Sequence, residues 1–567
     1  MKKIFATAIA VIALSSCNFL DLTPNVISKE TFYKSEGEAE YGLAGVYGAM
    51  SHEAFYGNYY SLMLSNVDDL SYFNRAIQAS TAAQQYRFDS STSQIYDAWT
   101  RIYKGIKNAN AFMRAISASG YDPDGTMYAE ARFLRAYYHF IVAQAWGDVP
   151  LRDGEVVSHD GVFCAATPQK NVLEWAVSEM EAFLDDLSND VTIQPSRVTV
   201  TTAKGIIARV CLFLAGESVT GVDKTACLKK AKKYAAEVIA SNLHRLNPSY
   251  SQVFINMIED AYDTANRESM WEVEFYGDRA NASYWSNGRI GDVMGLQSTG
   301  STGFSNFTCN YSYGMYNGSL KLWDLYWADD RTSDEYQLGR ITDARQDWNL
   351  PPYNYSGNNN QPPYGSDGSD GKTSSEASID KAPYAYSSVS TTQDPTAAQA
   401  IRNSGKWRRE VIYEGVKDAK RLYTTINYPL LRYSDVLLMF AEASNELEGA
   451  PSDSAYNCVK AVRDRAGIKT LPKSGYDQAS FREFVRNERG RELCFEGLRK
   501  YDLIRWGIFV DAMHGYAAQT SDERWNKHAT AGYAAAIGAA VQPRHILLPI
   551  PAIELGVNKL LDQNALW

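Results

Sequence analysis

The chain has no basic excess, no paired-cysteine spacing and no metal-ligand motif, and each absence closes a class of function. Acidic side chains outnumber basic ones, 66 to 56, for a formal charge of −10 at pH 7. A nucleic-acid partner would need a basic face to meet its phosphates, and none is legible. Seven cysteines are scattered over 567 residues without a CxxC pair, and Cys211 and Cys494 lie in apolar helical stretches as small hydrophobes. The seven histidines show no HExxH or similar spacing, which gives no transition-metal site; His139, on an apolar helix, reads as a hydrogen-bonded core residue. A phosphate-cradling glycine loop and a GxSxG elbow are likewise missing. No cofactor is called for, and Ca²⁺ held by the acidic loops is left open.

Long apolar runs are scarce too. After Lys2 and Lys3, IFATAIAVIAL is too short for a hydrocarbon core about 30 Å thick and reads as the h-region of a signal peptide over residues 1–16. Leu14, Ser15 and Ser16 then precede Cys17, the pattern of a bacterial lipobox, so Cys17 is the expected lipidated N-terminus. The chain is thus expected to be anchored to a membrane by lipid, with its folded body in water.

What the chain does have is helical periodicity and many aromatic residues, including 38 Tyr and 12 Trp. Apolar residues recur every three or four positions from Ser93 to Ser117, with Ile95, Trp99, Ile102 and Ile106 on one face, and again from Ala129 to Ala145. Further helices are expected at Glu36 to Met50, Pro168 to Leu187 with Thr167 as cap, Thr199 to Ala215, Lys224 to Ser241, Tyr428 onward, and Ser454 to Ala466 capped by Ser452 or Asp453. Helix pairs on short connections suggest a tetratricopeptide-like array, although the strict repeat consensus is absent. The expected fold is mainly α with long irregular loops and a few short strands. MWEVEFYGD, from Met270, alternates like a strand, and SLKLWDLYWADD holds a short helix at Leu320 to Trp327. Residues 281–394 otherwise fill with Gly, Ser, Asn, Tyr and Trp, the composition of loops that carry function when set in a helical scaffold.

The stretch Phe481 to Trp506, FREFVRNERGRELCFEGLRKYDLIRW, says most. At helical spacing Phe481, Phe484, Val485, Glu488, Glu492 and Phe495 share a face, so an apolar stripe runs into two carboxylates that must point inward. One turn apart, they could serve as the acid pair of a retaining glycosidase. Alternatively they form a buried network with nearby arginines, and Arg432 is the expected partner of Glu488 or Glu492, with Arg499 in the same network. Adjacent guanidinium groups depress a carboxyl pKa, whereas a catalytic acid needs it raised, so the network is the favoured reading. Asp68 with Asp69, Asp185 with Asp186 and Asp329 with Asp330 are neighbours whose side chains point apart; they read as solvated surface.

The run NERGRELCFEGLRKYDLIRWG resembles the hallmark segment of the SusD/RagB family, outer-membrane nutrient-binding lipoproteins of Bacteroidetes. CNFLDLTP at Cys17, AEARFLRAYYHFIVAQAWGDVPL from Ala129, YPLLRYSDVLLMFAEASNE from Tyr428, AVRDRAGI from Ala461 and the closing LLPIPAIELGVNKLLDQNALW match in the same order. The resemblance implies an N-terminal helical region over 17–270 and a C-terminal region over 271–567, packed as one unit with ligand-binding loops at 281–394. It also implies a closing strand near Pro549 and Pro551, placement on the outward face of the outer membrane, and a SusC-like TonB-dependent transporter as partner. The implied role is capture of oligo- or polysaccharide without catalysis. RagB-type relatives handle peptides, so a peptide ligand is the alternative, and a glycosidase using Glu488 and Glu492 is the alternative of another class. Sugar rings stack on aromatic faces, and the candidate ligand-binding residues are Tyr72, Phe73, Tyr284, Trp285, Tyr311, Tyr313, Tyr316 and Trp348.

Overall fold

Helical periodicity becomes a layered stack of helices in the computed structural model of the chain. It describes residues 33–567 except 123, 157–160, 277–285, 287, 298–310, 328–342, 352, 355–381, 384–401, 410–422, 471, 520–521 and 523–528. The leader, Cys17, Tyr284, Trp285, the Asp329 and Asp330 pair and most of the 281–394 loops therefore lie outside the described residues.

The first layer is α1 (Glu36–Tyr47), α2 (Ser93–Ser119) and α3 (Thr126–Trp146). α2 buries the face predicted for it, Ile95, Trp99, Ile102 and Ile106, and stops where Gly120 turns left-handed at φ 74°. α3 is buried almost all round, so it is the central rod of the N-terminal half. The two helices approach closely at Gly105, where a Cβ would lie 2.7 Å from the Tyr138 ring. α4 (Gln169–Glu181), α5 (Val200–Leu214), α6 (Lys224–Ala240) and α7 (Tyr250–Ile258) follow. α4 packs on α3 and on α5, and α5 packs on α6. Thr199 and Asp223 cap α5 and α6 through their side chains. Thr167 does not cap α4. Its backbone bridges Val149 instead, and Pro168 takes the cap position without a side-chain bond.

Strands are few and short: β1 (Ser71–Phe73), β2 (Ser269–Val273), β3 (Tyr316–Gly318) and β4 (Tyr428–Arg432), with β1 antiparallel to β3 and β2 to β4, besides a two-residue antiparallel pair of Tyr353–Asn354 with Ala382–Pro383. Here one expectation is corrected, because Tyr428–Arg432 is a strand and the helix α10 (Tyr433–Glu448) begins after it. All five strand residues are buried, so an apolar run without alternation fits a strand as well as a helix. α8 (Leu320–Trp327) and α9 (Ala344–Asn349) precede it; α11 (Asp453–Arg465), capped by Ser452, and α12 (Gln478–Leu493) follow.

A second correction concerns Phe481 to Trp506, which is two helices. α12 ends at Leu493, Phe495 adopts φ 64° and Gly497 φ 72°, and α13 (Arg499–Arg505) restarts beyond them. A Cβ on Gly497 would meet the Tyr428 hydroxyl at 2.5 Å, so the break brings the backbone against β4. Just past the end of α12, Glu496 meets the same Arg432 guanidinium that Glu492 does. α14 (Phe509–Gln519), α15 (Ala529–Ala540) and α16 (Ala552–Val557) close the chain. The expected closing strand is an extended strip instead: Leu548 donates to Ala145 O and Pro549 O accepts from Trp146 Nε1, but two prolines lack the N–H groups a ladder needs.

α13 is tied to α10 by a buried fork, with Arg505 donating to both oxygens of Glu442 while Trp506 Nε1 donates to Oε1 at 2.8 Å. Burial alone would raise the Glu442 carboxyl, yet Arg505 holds it down at about 2. A depressed folded pKa contributes stability that is full above the unfolded value of 4.5 and lost as pH falls through the folded one. Glu442→Gln leaves the buried Arg505 guanidinium with Asp502 as its remaining carboxylate partner and is expected to cost about 3 kcal/mol at neutral pH. In thermal melts the deficit against the unsubstituted protein should be constant above pH 5 and shrink toward pH 2; a deficit that is the same at all pH values would refute the ion-pair origin.

Candidate functional site

Two groups of residues compete for the functional role, the inward acids of α12 and the surface where β1 meets β3. Glu488 and Glu492 have no exposed surface. Glu488 receives Arg345 Nη1 at 2.7 Å, Arg491 Nη1 at 2.9 Å and Arg463 Nη1 at 3.2 Å. Glu492 receives Arg465 Nη2 at 2.6 Å, Arg432 Nη1 at 3.0 Å and the same Arg345 group at 3.1 Å. Arg345 is fixed by Asp343, Arg465 reaches Glu268, and Arg432 reaches Glu268 and, through a fork, Glu496. Burial would push both glutamates up, but Arg345 leads the set that holds Glu488 down and Arg465 the set that holds Glu492 well down. Glu268, beside Glu492, is kept above the usual carboxylate range by burial in spite of Arg465 and Arg432.

Such a pair cannot do the work of a glycosidase. Both carboxyls are buried and held low by guanidinium groups, the reverse of the raised acid in an open cleft that glycoside hydrolysis needs. Arg499 belongs to a neighbouring network: it forks onto Asp69 at 2.8 and 2.9 Å, and Lys321 joins the same carboxylate. The reading of Asp68 and Asp69 as solvated surface is therefore corrected, since both are buried. Asp68 is pushed up to about 8 by burial, with its Oδ1 accepting the N–H groups of Leu70 and Ser71. Asp185 and Asp186 are exposed, as expected.

The β1–β3 pairing joins an N-terminal segment to the middle of the chain in the register Tyr72 to Asn317 and Phe73 to Tyr316. Its aromatic residues are core, which corrects the assignment of Tyr72, Phe73, Tyr316 and Trp348 as ligand platform. Tyr72 and Tyr316 have no exposed surface, and Phe73 packs edge-on against the Tyr316 ring at 5.8 Å. Trp348 is covered by the Arg408 guanidinium 3.9 Å from its ring. Strand alternation fails as a guide here because both faces of this two-stranded ribbon are covered.

The surface begins two residues further along, at the part-buried Arg75, with the buried Asn74 bracing it from beneath. Asn74 donates its side chain to Gly314 O and Asn317, and Arg75 donates to Asn74 Oδ1 at 2.7 Å and to Tyr313 O at 2.6 Å. Arg409 holds Tyr311 O at 2.7 Å, and Tyr313 N–H donates to Asp292 O. These bonds present the half-buried rings of Tyr311 and Tyr313, 4.9 Å apart and perpendicular, beside the part-buried Arg75 guanidinium. Burial lowers the Arg75 pKa, opposed by Tyr311 and Tyr533, which places α15 on the same rim. Of the eight candidate residues, then, the structure brings Tyr311 and Tyr313 together at the surface. It adds Asn74 and Arg75, whose signal in the sequence was an Asn-Arg pair directly after a strand. Among the described residues no group of three or more His, Cys, Asp or Glu side chains is placed to hold a metal.

Comparison with known proteins agrees with this architecture. Residues 267–567 match the model of the SusD family, and residues 18–212 match a second family described as starch-binding, associating with outer membrane. SusD-like protein P25 of Formosa agariphila is 23% identical over all of this chain and 98% of its own. A SusD homolog from Bacteroides thetaiotaomicron superposes with a TM-score of 0.78 at 24% identity, covering 95% of this chain and 98% of that one. A laminarin-binding SusD-like protein superposes with a TM-score of 0.65 at 18% identity, covering 94% and 100%.

The rim depends on Gly314, which has φ 55° and whose Cβ would fall 2.7 Å from the Gln297 backbone nitrogen. Backbone cannot yield as a side-chain tip can, so Gly314→Ala should cost about 1–3 kcal/mol and shift the Tyr311–Tyr313 segment. Hydrogen exchange should show faster exchange of the Tyr313 and Met315 amides in this variant; unchanged protection would show that the turn is not what holds the rim.

Proposed function

Because this chain belongs to the SusD family, whose model covers its residues 267–567, we propose that it is an outer-membrane glycan-binding protein that captures oligo- or polysaccharide and hands it to a SusC-like TonB-dependent transporter. Lipid on Cys17 holds it to the membrane on the outward face, and no bond in the glycan is cleaved. The observation that carries the reading is the rim of Arg75, Tyr311 and Tyr313, braced by the buried Asn74, where two perpendicular rings stand beside a fixed guanidinium. A pyranose offers an apolar C–H face to such a ring while its hydroxyls accept from the guanidinium and exchange hydrogen bonds with the phenols. The solved laminarin-binding relative supports the ligand class. The family description that associates residues 18–212 with the outer membrane supports the location. The acids that would have argued for hydrolysis are sealed under arginines, leaving binding as the chemistry this surface offers.

The reading is tested with the mature protein in affinity gels cast with laminarin, xyloglucan, starch and other polysaccharides. Retardation by at least one polymer, without new reducing ends, is the expected result. Tyr313→Ala should weaken that retention about tenfold, for roughly 1.4 kcal/mol of lost stacking, with the melting temperature unchanged. Release of reducing ends, or no retention by any polymer, would overturn the proposal.

A further inference from the structure

A cavity of about 540 Å³ lies between α2, along the margin of its buried face, the loop that follows α3, and α16. It shares no residue with the rim described above. Tyr96, Trp99 and Tyr103 of α2 line it at spacings of three and four residues, which stacks them along one face of the helix. Trp99 and Tyr103 rings are 4.7 Å apart at 45°, so the wall is a continuous aromatic surface. Tyr96 and Tyr103 are half-buried and Trp99 is nearly covered. Val156 and Val162 complete the apolar lining, both more than 40% exposed.

The walls are built. Tyr103 donates to Pro150 O at 2.9 Å, Asn110 donates to Arg152 O and Gly154 O at 3.0 Å each, and the Arg152 fork holds the carbonyls of Gly161 and Val162. α16 is fastened by Ala552 N–H to Ser90 O and by Asn558 Nδ2 to Cys164 O. A cavity with fixed walls and a volume inside the ~300–1,000 Å³ range of small-ligand sites is already shaped for an occupant.

Its polar groups say which occupant. Lys107 and Glu554 both line the cavity, and neither has an ion pair or side-chain hydrogen bond among the described residues. An apolar anchor from a protein partner would strip water from an ammonium and a carboxylate and return nothing. A ring bearing hydroxyls satisfies both, accepting from Lys107 and donating to Glu554, while its C–H face lies on Tyr96 and Tyr103. We propose that this cavity is a second saccharide site, sized for one or two pyranose units. It rests on the preceding reading for the ligand class alone. Two sites on one chain let a polysaccharide bind at two points, so the second contact forms at high effective concentration.

Calorimetry of the mature protein with laminari-, cello-, malto- and xylo-oligosaccharides tests this. The expected stoichiometry is two short oligosaccharides per chain for at least one series, falling to one in Lys107→Ala/Glu554→Gln and also to one in Tyr313→Ala. Both substituted cavity side chains reach solvent, so the melting temperature should hold, and crystals soaked with the same sugar should show it against Tyr96. One site in the unsubstituted protein, lost in Tyr313→Ala and untouched in the double variant, overturns the second site and leaves the first. One site lost only in the double variant upholds the cavity and overturns the rim. Unchanged sugar stoichiometry with weakened capture by the purified transporter assigns the cavity to a polypeptide and overturns the proposal. No heat with any series overturns both sites.

Discussion

The buried contact between Arg345, Arg432 and Arg465 on one side and Glu488 and Glu492 on the other is the constraint from which the rest of the C-terminal half follows. Each guanidinium reaches more than one carboxylate, and each carboxylate is shared by more than one guanidinium. These residues come from α9, β4, α11 and α12, and with Glu268, directly before β2, the network welds segments up to about two hundred positions apart in sequence. The desolvation penalty of so many charges is large, and an apolar replacement of the same volume could be as stable. What ions add is registry, because a fork of five donors meets carboxylates in one geometry only, whereas apolar side chains slide.

A neighbouring buried charge cluster, around Asp69, fixes where β1 pairs with β3. Arg499 and Lys321 converge on Asp69 directly before β1, and Ser319, directly after β3, donates to Asp69 O. The rim lies at the other end of this ribbon, where Asn74 and Arg75 grip the backbone of Gly314 and Tyr313. A recognition surface of few residues can be held rigid when its backbone bonds lead back to buried charges, and rigid groups lose less entropy when a ligand arrives. The second, helical cavity draws its rigidity differently, from carbonyls clamped by Arg152 and Asn110.

Much of the helical scaffold was legible in the chain, because periodicity over ten or more residues is a strong signal: α2, α3, α5 and α6 begin and end within a few residues of expectation, and α8 spans Leu320–Trp327 as read. The inward direction of Glu488 and Glu492 was legible for the same reason. Less legible was whatever depends on partners distant in sequence. Nothing near Asp69 announces Arg499, 430 positions away, so an acidic pair beside a polar loop looked solvated. Tyr72 and Phe73 looked exposed because the strand that covers them, Tyr316–Gly318, lies more than two hundred residues on. The break after Leu493 was hidden because Phe495 continues the apolar spacing although its backbone is left-handed. At the rim, Tyr311 and Tyr313 were visible by composition, but the asparagine and arginine that set them were not, since their role is hydrogen bonding to carbonyls.

The most direct test of this account is the thermal melt of Glu492→Gln together with its glycan binding. The side chain keeps its volume and loses its charge, leaving Arg432, Arg465 and Arg345 facing a neutral amide in a dry core. A fall in stability of about 3–5 kcal/mol, with binding by the molecules that remain folded unchanged, is the result this structure predicts. A variant as stable as the original that no longer binds, or that has lost a hydrolytic activity, would contradict it, because Glu492 would then act on the ligand and not on the scaffold.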